Sequence, residues 1–372
     1  MSKPSIIFDN YTLPSGVELK NRVLMAPMTN FLSNEDGSVS RKELDYYMRR
    51  SGGVGAVITA CANVNAHGKG FEGEIGVDRD ELTAGLSMLA DGIHEKGAKA
   101  ILQIYHGGRM CPPHLVPNED IVSASAVPAE RENAKTPREM TEEEIQQTIL
   151  DFGEATRRAI EAGFDGVEIH GANTYLLQQF FSPHSNRRGD QWGGNVRERM
   201  NFPLAVIETV KSTVANRATE PFIIGYRLSP EEREEPGITI DDTLQFVDVL
   251  AGQGLDYLHI SLSQFNQSSM RDKSAATPVI ELIQERVGNS IPVMGVGSLI
   301  TPEDIEKSLA TVPLVSLGRE LLVEPDWVEK VENNKDIRKA MKLTQKEDLL
   351  IPEPMWTNIL SVPNWIPVDK EE

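Results

Sequence analysis

The sequence predicts an α/β protein of the (β/α)8 class, a TIM barrel folded as a single domain with long loops on its carboxyl face. Three observations predict it. Short apolar, β-branched runs alternate with amphipathic segments along the chain, in units of roughly 40 residues that suit eight strand–helix repeats. Polar, glycine and cationic residues gather where those runs end, which is where a barrel carries its chemistry. A doubly wound sheet is the alternative, but no Gly-x-Gly-x-x-Gly turn follows an early strand.

The expected strands are 23–27, 56–61, 99–106, 166–172, 222–229, 257–263, 291–297 and 314–319. The expected helices are 42–50, 81–96, 142–162, 198–214, 241–252, 278–287 and 302–309. Thr141-Glu-Glu-Glu144 is a capping box, and Thr301-Pro302 puts a cap before proline at the first helical position. Ile145, Ile149, Phe152 and Ala155 repeat at helical spacing and form one buried stripe. Segments 107–138 and 174–197 are expected as active-site loops. The barrel is assigned to residues 1–350 and a proline-containing tail with Trp356 and Trp365 to 351–372. That tail either covers the barrel or reaches a neighbouring subunit, which leaves a homo-oligomer open.

Composition narrows the function. The 372 residues carry a net charge of −19, with an acidic Asp369-Lys-Glu-Glu372 end, which disfavours binding to nucleic acid or an anionic membrane. The amino terminus lacks an apolar signal region and no run is long enough to span a bilayer, so the expectation is a cytoplasmic protein. Cys61 and Cys111 are too few for a disulfide framework or an iron–sulfur cluster. The seven histidines show no paired ligand spacing, so no metal is expected.

The most informative stretch is Gly166-Val-Glu-Ile-His170-Gly-Ala-Asn173-Thr-Tyr175. His170 and Asn173 are neutral donors that converge on one oxygen if the chain turns beyond the strand, and Tyr175 then offers a proton to a neighbouring atom. Such a set polarises a carbonyl and protonates the carbon beside it. Gly295-Val-Gly297-Ser298 and Gly318-Arg319 end the seventh and eighth strands, where barrels hold phosphate with backbone N–H groups and a guanidinium. Gln103 and Arg227 point to the barrel mouth. An arginine there stabilises charge on a reduced heteroaromatic ring and a glutamine pairs with its polar edge. With the phosphate loops, they outline a flavin mononucleotide.

Asn21-Arg22 before Ala26-Pro-Met-Thr29, His106-Gly-Gly-Arg109, Glu168-Ile-His170-Gly-Ala-Asn173-Thr-Tyr175, Ser182-Pro…Asn186…Arg188…Asp190…Gly-Gly194 and Leu317-Gly-Arg319-Glu recur in one order. In this the chain resembles the Old Yellow Enzyme family of FMN-dependent NADH:flavin oxidoreductases and ene-reductases, from about Asn21 to Leu322. The resemblance implies noncovalent FMN, reduced by NADH or NADPH and reoxidised by an activated alkene. It places Pro27, Met28 and Cys61 along the ring, Thr29 near its C4 carbonyl, Gln103 at its pyrimidine edge and Arg227 near N1. It gives the phosphate to Gly297, Ser298, Gly318 and Arg319. His170 and Asn173 would bind the substrate carbonyl, and Tyr175 would protonate the α-carbon. One branch of the family has cysteine in place of Thr29 and histidine in place of Asn173, and a tyrosine in place of Phe31. The rival reading is a flavin-free barrel lyase or isomerase acting on a phosphorylated substrate.

Overall fold

All eight expected strands form, and each is shorter than the run that announces it. The computed structural model describes residues 5–363 and 365–369; residues 1–4, 364 and 370–372, the acidic end of the tail, lie outside them. The barrel strands are Val23–Met25, Ala56–Ile58, Lys99–Tyr105, Gly166–Gly171, Ile223–Leu228, Tyr257–Ile260, Val293–Val296 and Leu314–Leu317. Each pairs in parallel with the next, and the eighth closes on the first with Ser316 opposite Leu24.

The strand ends have local causes. Pro27 has no N–H to give to a ladder, so pairing stops after Ala26 donates to the Leu317 carbonyl at 2.8 Å. The eighth strand was expected to run to Arg319. Instead it ends at Leu317, and Arg319 opens a short helix, Arg319–Val323. The seven expected helices form at Arg41–Met48, Thr83–Glu95, Glu142–Glu161, Asn201–Arg217, Ile240–Ala251, Val279–Val287 and Pro302–Leu309. Capping boxes start three of them, at Thr141, Thr239 and Thr301. The helix Glu142–Glu161 buries the expected stripe of Ile145, Ile149, Phe152 and Ala155.

Alternation along the strands sorts the side chains into two cores. Outward residues such as Val57, Leu102, Val167 and Val315 pack under the helices. Inward residues Leu24, Ile58, Ile101, Ile223, Tyr257, Met294 and Leu314 fill the lower barrel together with Leu13, Val17 and Leu19. Those last three belong to an amino-terminal hairpin, Tyr11–Thr12 paired with Glu18–Leu19, that stoppers the barrel floor. Two-residue strands carry no periodic signal, so the sequence does not announce it.

The carboxyl-terminal segment packs on its own barrel. Helix Glu353–Ser361 buries Met355, Trp356 and Ile359, and Val368–Asp369 pairs in parallel with Met341–Lys342. Fully buried Arg50 donates to the Leu349 and Tyr46 carbonyls and lies 4.0 Å over the Tyr46 ring. Among the described residues no helix is long and apolar enough to cross a membrane.

Candidate active site

Above the apolar floor the barrel interior becomes polar. Strand register sets Gln103 beside Glu168, and Arg227 between His170 and His259. Gln103 Nε2 donates to Glu168 Oε1 at 2.7 Å, His259 Nδ1 meets Glu168 Oε2 at 2.9 Å, and Ser316 Oγ meets His259 Nε2 at 2.9 Å. These partners define a neutral His259 that donates from Nδ1 and accepts from Ser316. Burial pushes the Glu168 carboxyl up, but the hydrogen bonds from His259 and Gln103 and the charge of Arg227 outweigh it and hold the group ionised. Burial, against the pull of Glu168, holds the His259 imidazole below its usual range. Sequence reasoning passed over His259 and Ser316. The readable signal was Glu168 itself, a carboxylate inside a wholly buried strand that must find a partner across the barrel.

The fourth strand delivers the rim. A Cβ on Gly171 would stand 2.2 Å from the Tyr226 hydroxyl oxygen, so any side chain there would have to displace the buried Tyr226 ring. Asn173 and Thr174 then take left-handed conformations, with φ of 57° and 69°, and turn the chain sharply. The Asn173 N–H donates to Ser229 Oγ at 2.9 Å and its Oδ1 accepts from Ser261 Oγ at 2.8 Å. His170 Nδ1 accepts the Ala172 N–H at 3.2 Å, so the ring hydrogen sits on Nε2. Burial first, then the charge of Arg227, pushes the His170 imidazole down to about 3. It is a neutral donor at any physiological pH.

The ring of Tyr175 stands edge-on to His170 at 5.0 Å and to Tyr105 at 4.8 Å. Burial raises its phenol, so the proton is retained. Tyr105 donates to Glu74 Oε2 at 2.6 Å, and the same oxygen accepts the N–H groups of Gly70 and Phe71 at 2.8 and 3.0 Å. Glu74 is fully buried, and burial pushes it up to about 8 despite these donors. Neither Glu74 nor Tyr105 stands out in the sequence, because the loop that carries Glu74 has no regular pattern.

A cavity of about 600 Å³ opens beside this rim. Pro27, Met28, Asn173, Arg227, Gly297, Ser298, Gly318 and Arg319 all line it. Half-buried Thr29, and Cys61, Gln103, His170 and Tyr175, are not among its lining residues. Of these, His170 stands next to it through the register with Arg227, whereas Gln103 pairs with Glu168, which does not line it. Cys61 is buried and its thiol pushed up by burial, so it is a packed, unreactive side chain outside the cavity lining. Ser261, Ser263, Glu320, Trp365 and Pro367 also line the cavity and were not anticipated.

The wall fits a flavin mononucleotide. Gly297 has φ of +130°, and a Cβ there would lie 2.8 Å from the Gln264–Phe265 peptide. One on Gly318 would lie 2.9 Å from Met28 Sδ. Arg319 Nη2 donates to Ser298 Oγ at 2.7 Å and Ser263 O at 3.0 Å, and its Nη1 to Trp365 O at 3.3 Å. This side-chain-poor, cationic end suits a phosphate. At the other end Arg227 is buried and its Nε lacks a partner among the described residues, a donor suited to a ring that gains negative charge. The volume falls in the range of cofactor sites. Glu320 lies on the wall beside Arg319, but burial, with Glu324 and Asp304, pushes its carboxyl up to about 8, so it stays neutral and does not oppose an anion.

The model of the NADH:flavin oxidoreductase / NADH oxidase family matches residues 7–337. Over 365 residues the chain is 47% identical to the probable NADH-dependent flavin oxidoreductase YqiG of Bacillus subtilis (strain 168), and the match covers 97% of each. It is 48% identical over 354 residues to the NADH:acrylate oxidoreductase of Vibrio harveyi, covering 94% of this chain but only 35% of that longer protein. Among solved structures it is similar to a morphinone reductase variant in complex with tetrahydroNAD, with a TM-score of 0.76, 27% identity, and coverage of 90% of this chain and 92% of that one.

Proposed function

Because the chain belongs to the NADH:flavin oxidoreductase / NADH oxidase family and is thus an FMN-dependent oxidoreductase that uses NADH or NADPH, we propose that it reduces the C=C bond of α,β-unsaturated carbonyl compounds. Family membership overturns the flavin-free lyase or isomerase alternative. Gly297, Ser298, Gly318 and Arg319 would hold the FMN phosphate; Pro27, Met28, Thr29, Cys61, Gln103 and Arg227 would flank or pair with the ring. FMN held by these residues would supply the hydride chemistry that links nicotinamide oxidation to alkene reduction.

The residues of the chain do the rest. Negative charge develops on the carbonyl oxygen as the β-carbon is reduced, and fixed donors there lower the barrier. His170 offers Nε2–H and Asn173 its amide N–H. Tyr175, held protonated, delivers a proton to the α-carbon. The observation that carries this reading is the neutral His170 imidazole, whose Nδ1 is capped by the Ala172 N–H and whose donor side is thereby fixed. The test is a visible-absorption titration of the FMN-loaded protein with 4-hydroxybenzaldehyde. A phenolate on His170 and Asn173 gives a new broad long-wavelength band; flavin bands that stay unchanged reject the carbonyl site.

One observation favours a second reading. This chain spans only 35% of the NADH:acrylate oxidoreductase of Vibrio harveyi, so the shared barrel would supply NADH oxidation and pass reducing equivalents to an acceptor elsewhere. Anaerobic reduction by NADH followed by mixing with acrylate or 2-cyclohexenone separates the two. Rapid reoxidation by either alkene supports the first reading, and inertness toward both supports the second.

A further inference from the structure

Asn173 binds a carbonyl only if its amide presents N–H rather than oxygen to the cavity, and an asparagine side chain is nearly symmetric about that choice. What decides it is a chain of three groups. Arg227 Nη2 donates to Ser261 Oγ at 3.1 Å, and Ser261 Oγ donates to Asn173 Oδ1 at 2.8 Å. A guanidinium has no acceptor, so the first bond runs one way only. With one of its two lone pairs thus engaged, Ser261 gives its hydrogen to Asn173 Oδ1, which leaves the amide nitrogen to donate into the cavity that Asn173, Ser261 and Arg227 all line. The turn itself is fixed separately, by the Asn173 N–H bonded to Ser229 Oγ.

We propose that Ser261 is a positioning residue that locks Asn173 as a hydrogen-bond donor and links it to the Arg227 guanidinium. The proposal rests on the reading that His170 and Asn173 hold the substrate carbonyl. Its physical content is twofold. Ser261 disfavours the flipped amide, which would give up the bond from the Ser261 hydroxyl to Oδ1 and turn that oxygen toward the substrate oxygen. It also lies in line with a buried cation, and hydrogen bonds in series polarise one another, so charge on Arg227 strengthens the N–H that Asn173 offers. Arg227 thereby reaches the carbonyl oxygen without touching it.

The test is the 4-hydroxybenzaldehyde titration on FMN-loaded protein with Ser261→Ala, Ser261→Thr, Asn173→Ala and the double variant Ser261→Ala/Asn173→Ala. Ser261→Ala should weaken the phenol about fivefold to tenfold, the size of one hydrogen bond, and Ser261→Thr should restore binding because it keeps the hydroxyl. In the Asn173→Ala background, Ser261→Ala should change nothing further, which a general structural defect would not reproduce. Unchanged affinity in Ser261→Ala, or an equal loss in both backgrounds, overturns the proposal while leaving the carbonyl site in place. A parent protein that gives no long-wavelength band overturns the carbonyl site and the proposal with it.

Discussion

Arg227 and His170 are direct neighbours across the fourth and fifth strands, and the cation beside the imidazole helps to keep it neutral. The pairing fixes which chemistry each can perform. The arginine supplies charge, and the histidine supplies a hydrogen bond without a titration in the working range. The His170 ring should therefore show no protonation step between pH 5 and 8, with the hydrogen on Nε2 throughout. Ring nitrogen shifts in NMR spectra of histidine-labelled protein measure this. A step near 6.5 assigned to His170 through its loss in His170→Ala would make the group a charged donor and refute the assignment.

Tyr175→Phe removes the proposed acid and keeps the ring that packs against His170 and Tyr105. General acid catalysis contributes about 10²- to 10⁴-fold, so alkene reduction should slow by that order. Flavin reduction by NAD(P)H needs no proton at the alkene α-carbon and should be nearly unaffected. Stopped-flow traces of the two half-reactions decide it. Equal slowing of both would mean that Tyr175 shapes the pocket instead of donating the proton.

Much of the fold was legible because barrel strands are short continuous apolar runs and their helices carry caps and stripes; Thr141 with Glu144 shows this directly. The amino-terminal hairpin was not, since Leu13, Val17 and Leu19 gain their meaning only by plugging a barrel floor. For the site, residues at strand ends were readable because a barrel puts the ends of its strands on one rim. Glu74, Ser261 and Trp365 were not. Each acts through a partner distant in sequence, Tyr105, Asn173 and Arg319 respectively, and only closure of the fold brings them together.

Buried carboxyls predict a stability profile. Burial pushes Glu74 and Glu320 up to about 8 and Glu43 to about 7, each against ordinary values near 4.5. Between those limits the folded state holds more protons than the unfolded chain. Their contribution is therefore complete below pH 4.5 and is lost as pH rises through 7 and 8. Glu74→Gln carries no such proton and should narrow the drop in Tm between pH 6 and 9. A Tm difference from the parent protein that stays constant across that range would contradict the burial argument for Glu74.

The tail makes the last prediction. Trp365 and Pro367 line the cavity, and the Trp365 carbonyl accepts from Arg319, the same guanidinium that braces Ser298. Removing the indole opens the cavity wall to water without cutting the main chain that Arg319 holds. Trp365→Ala should therefore weaken FMN binding, measured by fluorescence of released flavin, while Tm of the flavin-free protein falls little. Ending the chain after residue 350 is a different operation. It deletes Met355, Trp356 and Ile359 from the main core, and large buried side chains each contribute about 1.5–3 kcal/mol. That variant should lose Tm with or without FMN. If Trp365→Ala instead binds FMN as tightly as the parent protein, the tail is a structural strap on the barrel and has no part in holding the cofactor.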